Sequence, residues 1–279
     1  MQQDTQITPR PIRPSGRQLG VVVRRALFGV GPVATGRALI RRVLKSDRGP
    51  DRPQASFASG LHPFDEEHGI DCGGFHSWRE LQSGGANDPY ISGYLGVAPS
   101  VARLAFGFIS EPESYTAIDL GCGKGRALVV ASERPFRRVI GVEIVAQLAD
   151  SARRNAAAIR TRLPNRTPIE IIHGDAATFM PPPGPFVLFM YQPFETPVMR
   201  KVARNLQASL SASPRFAVVV YLYPALARSL DKLPALERLH EVKCRPSADE
   251  VPYTYAGEGG TDQLVLWGTR DPRPTLRLT

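Results

Sequence analysis

The chain has 279 residues, 42% of them apolar, with 25 Gly, 26 Pro and a formal net charge of +9. That apolar share suits one large or two small domains with a buried core and is too high for a disordered chain, while the Gly and Pro content predicts long irregular stretches. Three scattered cysteines (Cys72, Cys122, Cys244) form no disulfide framework, and the uncharged run Phe216 to Ala227 is too short to span a bilayer. Secreted, collagenous and membrane-spanning classes are excluded on these grounds, and a reducing, cytoplasmic setting is expected.

The charge is localised. Up to Arg52 there are eleven basic against three acidic residues, and beyond it twenty-four against twenty-three. Residues 1–60 therefore read as a basic extension rich in Pro, Gly and Arg on a near-neutral remainder. Arg24 and Arg25 interrupt its one early apolar run, so no signal peptide is expected. Two short amphipathic helices fit, Gln18 to Val30 and Ala34 to Lys45, the second with Leu39, Ile40, Val43 and Leu44 on one face. Such a basic arm suits an anionic membrane surface or nucleic acid, or else is a mobile tail or a helix packed on the domain.

Residues 61–112 read as a connecting segment, first an irregular Gly-rich flap and then a helix opening near Pro99 and Ser100. Val101, Leu104, Ala105 and Phe108 are expected on its buried face. His68, Cys72 and His76 fall at four-residue spacing, but Gly69, Gly73 and Gly74 break any helix that would align them on a metal, so no metal site is expected.

Residues 113–279 alternate. "YTAIDLG", "RRVIGVEI", "IEIIHGD", "FVLFMY" and "RFAVVVYLY" read as strands that are near-continuous apolar runs. Between most of them lie helical stretches, "GRALVVASE", "VAQLADSARRNAAAIR" and "TPVMRKVARNLQASL". That pattern means a parallel sheet covered on both faces, a doubly wound α/β domain. "RLHEVKC" and "DQLVLWGTR" add two strands, joined by a segment too long for a tight hairpin. His173 is expected to pack inside its strand.

The first strand ends in "DLGCGKGR", with Asp119, Gly121, Gly123 and Gly125. Glycines at that position allow tight turning and close approach of a ligand, with a helix N-terminus behind. A dinucleotide fingerprint needs its third glycine where Arg126 stands, and no Gly-Lys-Ser/Thr follows for a phosphate loop. An acid just before the glycines suits a cationic ligand. Glu143 ends the next strand, where a carboxylate can accept from ribose hydroxyls, and Asp175 ends the third.

At these residues the chain resembles the class I S-adenosylmethionine-dependent methyltransferases, over roughly residues 90–270. The resemblance implies a seven-stranded, mostly parallel Rossmann-like sheet with an antiparallel last strand, and S-adenosyl-L-methionine as cofactor. It implies that Asp119, Gly121, Gly123 and Gly125 lie against the methionine part and that Glu143 binds the ribose hydroxyls. It implies that Asp175 with Ala176 reads adenine. "YQPF" (Tyr191, Gln192, Pro193, Phe194) looks like the N/D-P-P-Y/F element of amino-directed members, departing with Gln for Asn or Asp and a single proline. The stretches "FDEEHGIDCGG" and "YISGYLGVAPS" are similar to the pre-core region of a bacterial group distantly similar to protein-lysine methyltransferases, with Cys72 where Thr is expected. There an aromatic, Tyr94 or Tyr90 here, closes over the cofactor.

Methyl transfer from a sulfonium needs an aligned, neutral nucleophile. The expected activity is N-directed methylation of a protein amine or small molecule. Gln192 is expected to emerge beside the reacting methyl and accept from the amine, with Tyr191, Pro193 and Phe194 around it. The alternatives are an O-methyltransferase of secondary metabolism and a non-catalytic cofactor-binding module with a basic partner-binding arm.

Overall fold

The computed structural model describes residues 61–254 and 260–277; the two amphipathic helices expected before residue 60 lie outside the described residues. The described chain opens with α1 (Pro63–His68), where Pro63 occupies the first turn and the His62 side chain accepts the Phe64 amide at 3.1 Å. Gly69, at φ 64°, ends it. A two-residue antiparallel ladder then pairs Phe75 with Leu95 and His76 with Tyr94. Helix α2 comes next (Pro99–Gly107). Its buried face is Val101, Ala102, Ala105 and Phe106, whereas Leu104 is 37% exposed. This corrects the expected face at Leu104 alone; Val101, Ala105 and Phe108 are buried as expected, and Glu250 accepts the Ser100 amide at 2.9 Å at the start of α2.

The alternating pattern folds as expected: β1 (Thr116–Leu120), α3 (Arg126–Ala131), β2 (Arg138–Glu143), α4 (Ala146–Arg162), β3 (Ile169–His173), β4 (Phe186–Tyr191), α5 (Thr196–Ala212), β5 (Ala217–Leu222), a short α6 (Arg228–Asp231), β6 (Leu236–Cys244) and β7 (Asp262–Thr269). The sheet order is β3-β2-β1-β4-β5-β7-β6, with β7 antiparallel to both neighbours and the pairs among the first five strands parallel. Alternate residues serve opposite faces. Ala117, Val187, Phe189, Val218 and Val220 pack with α2 and α3, while Ile118, Leu188, Met190, Val219 and Tyr221 pack with α5. Burial on both faces explains why these strands read as unbroken apolar runs.

The edge strand β3 is the exception. None of its residues is fully buried, and Glu170 and His173 are exposed, the latter with Nε2 3.1 Å from the Ile144 carbonyl. The expectation that His173 packs inside its strand is corrected, because an edge strand lacks a second neighbour. Among the described residues no helix is long and apolar enough to cross a membrane. The chain leaves β1 for β2 and β3 on one side and returns to β4 on the other, so a crevice opens at the carboxyl ends of β1 and β4.

Candidate active site

That crevice is a cleft of about 880 Å³, counting its open mouth. Asp119, Gly121, Gly123, Glu143, Asp175 and Ala176 all line it, from the ends of three adjacent strands. The turn after β1 is left-handed at Gly121 (φ 77°) and Gly123 (φ 55°). A Cβ on Gly121 would stand 2.3 Å from the Pro193 side chain, and one on Gly123 would stand 2.3 Å from the Tyr94 ring. Both positions therefore require glycine for conformation and for close approach. Gly125, also left-handed, is the N-cap of α3 and lies behind the cleft rather than in its lining.

The three acids are held differently. Glu143 is buried and accepts the Gly123 amide at 2.8 Å on Oε2 and the Val145 amide at 2.9 Å on Oε1. Burial raises its pKa, and the backbone donors pull the other way. Asp175 accepts the Ala177 amide at 2.8 Å and the Asn87 side-chain amide at 2.5 Å. Asp119 is 4% exposed. Burial, with Glu143 as a like charge nearby, pushes its carboxyl up to about 8, and no donor offsets that rise. A buried acid short of partners at a cleft wall is matched by a cationic group such as an amino group.

The pre-core segment forms the facing wall. Tyr90 and Tyr94 both line the cleft; Tyr94 is the one laid on the glycine turn, with its hydroxyl donating to the Cys72 carbonyl at 2.7 Å. Ser92 donates to the Pro193 carbonyl at 3.1 Å, Glu195 donates to the Tyr90 carbonyl at 2.9 Å, and Ile91 bridges Phe194. Behind the glycine turn, Arg126 makes a two-pronged bond to Asp65 at 2.9 and 2.7 Å, both side chains being buried. Asn155 of α4 joins Asp71 to Lys124 by donating to both carbonyls at 2.9 Å.

Tyr191, Pro193 and Phe194 line the cleft at the end of β4. Gln192 does not. It turns left-handed at φ 39° and its Oε1 accepts from the Tyr221 hydroxyl on β5. The expected projection of Gln192 into the cleft is therefore not what the backbone provides, because the reversed turn directs its side chain to the neighbouring strand. His68, Cys72 and His76 are apart in role: His68 stacks on Phe64, the Cys72 thiol bonds the Lys124 carbonyl at 3.4 Å, and His76 lies beside Tyr94. Among the described residues no cluster is placed to hold a metal. Sequence reasoning missed Asn87, Asp65, Asn155 and Tyr221. Their partners Asp175 and Gln192 stood out beforehand as candidate site residues, and Arg126 as the residue that breaks the dinucleotide pattern, but the pairings themselves did not.

Residues 117–212 match the family model described as a methyltransferase domain. No curated protein matches the chain. Solved structures similar to it include 23S rRNA methyltransferase ErmE, at 20% identity and TM-score 0.43, covering 66% of this chain and 72% of that one. Another is the StiE O-MT, residues 942–1257, at 15% and 0.42, covering 63% and 75%. A third is the tRNA (uracil-54, C5)-methyltransferase of Pyrococcus abyssi in complex with S-adenosyl-L-homocysteine, at 13% and 0.41, covering 60% and 37%.

Proposed function

We propose that this chain, whose residues 117–212 match a methyltransferase domain, is a class I S-adenosylmethionine-dependent methyltransferase that transfers a methyl group to the nitrogen of an amine, in a protein or a small molecule. The cofactor, when bound, supplies a methyl already activated on a sulfonium. The residues present suit it. Asp119 offers a buried carboxyl to the amino group, the glycine turn packs closely against Pro193 and Tyr94 at the cleft wall, and Glu143 and Asp175 offer acceptors to ribose and adenine.

The observation that carries the nitrogen reading is the chemistry of the cleft wall. Among the described residues no histidine lines it, and its carboxyls are the three assigned to the cofactor. An alcohol would need a base to lose its proton during transfer, whereas a neutral amine brings its own lone pair. On this reading Tyr191, Pro193 and Phe194 hold the acceptor in line and exclude water, with Gln192 setting the turn between them. The basic arm up to Arg52 serves to bring the domain to an anionic surface.

Labelled-methyl transfer to cell extract tests this. Label stable to acid and base on an amine supports it, and the rate should rise with pH towards the pKa of that amine. Label carried on oxygen, as a base-labile ester or an ether, refutes it.

A further inference from the structure

Gln192 (φ 39°) and Tyr223 (φ 53°) are the two non-glycine residues with left-handed backbone among the described residues. They lie side by side, because each succeeds one member of the last β4–β5 pair, Tyr191 opposite Leu222. Side chains at such φ values carry a steric cost and persist where surrounding contacts hold them. For Gln192 that contact is the hydroxyl of Tyr221, which donates to Oε1.

The turn leads directly into the seat of the pre-core strap. Pro193, Phe194 and Glu195 make the three backbone contacts to Tyr90, Ile91 and Ser92, and two residues later Tyr94 lies on Gly123. Pro193 also packs against Gly121. A right-handed Gln192 would carry all of these out of register.

We propose that Tyr221 is a positioning residue: by holding Gln192 in its left-handed turn, it fixes the Pro193–Glu195 seat on which the Tyr90–Tyr94 strap closes over the cleft. Only the consequence for cofactor affinity rests on the methyltransferase reading. The strap contacts do not.

Amide hydrogen exchange in the full chain without ligand gives the first test. Tyr221→Phe removes one hydrogen bond and should speed exchange of the Ser92 and Glu195 amides about fivefold, leaving Leu188 in the middle of β4 unchanged. Calorimetry with S-adenosyl-L-homocysteine should show an affinity lowered by the loss of closed strap, at most about fivefold. In a Gln192→Gly background, where the turn has no steric cost, Tyr221→Phe should change neither quantity. A hydroxyl that merely supported the core would act equally in both backgrounds. Unchanged exchange in Tyr221→Phe, or equal acceleration in both backgrounds, overturns the proposal. Should Tyr221→Phe fail to fold, Gln192→Ala removes the same bond from a half-buried position and must show the same acceleration; unchanged exchange there also overturns it. Wild-type protein that did not bind S-adenosyl-L-homocysteine would refute the cofactor reading, while the exchange data would still decide the role of Tyr221.

Discussion

Asp119→Asn isolates the cost of keeping a cation-binding acid in the cleft wall. Burial and the neighbouring Glu143 push the carboxyl from 3.8 up to about 8. The folded state thus holds a proton that the unfolded chain releases, and this group destabilises the fold increasingly as pH rises from about 4 to about 8. At pH 7 roughly three pH units of that window have been crossed, an upper bound of about 4 kcal/mol at about 1.4 kcal/mol per unit. Asparagine does not ionise, so Asp119→Asn should stabilise the unliganded protein by up to about 4 kcal/mol at pH 7 and by about nothing at pH 4. Binding should respond in the opposite sense. A cationic amino group selects the carboxylate, so wild-type affinity should rise about tenfold per pH unit up to about 8, with release of about one proton. Asp119→Asn should bind more weakly and lose that slope. Thermal melts from pH 4 to 8 report the first effect. Titration calorimetry with S-adenosyl-L-homocysteine, in two buffers of different ionisation enthalpy, reports the second. Wild-type affinity flat between pH 6 and 8, with no proton released, would refute the reasoning.

Glu143→Ala should lower cofactor affinity by about 1.5–3 kcal/mol or more in the same calorimetric assay, since it removes a charged acceptor and frees the Gly123 amide. Arg126→Ala should cost about 3–5 kcal/mol in a urea melt by stranding the buried Asp65 carboxylate. The double variant Asp65→Leu with Arg126→Met should recover much of that loss, because no charge is then left unpaired. Deleting residues 1–55 should leave S-adenosyl-L-homocysteine affinity unchanged; loss of the cooperative melting transition would show that the boundary is misplaced.

The sheet and the nucleoside side of the cleft were legible in the sequence. Runs such as Phe186–Tyr191 and Ala217–Leu222 are apolar at every position because both faces of the sheet are covered, and that continuity is visible without coordinates. The glycines at 121 and 123 and the acids at 119, 143 and 175 were legible because each needs only its own strand end and turn to be in place. Pairings across elements were decided by tertiary structure alone. Asn87 meets Asp175, Asp65 meets Arg126, and Tyr221 meets Gln192. The Tyr221 contact exists because β5 lies beside β4 and because Gln192 takes a backbone conformation no periodicity announces. Leu104 and His173 were misplaced for the same reason: a pattern shows that a helix or strand has an apolar face, while which residues its neighbours cover, and that β3 has none beyond it, are settled by how the strands assemble.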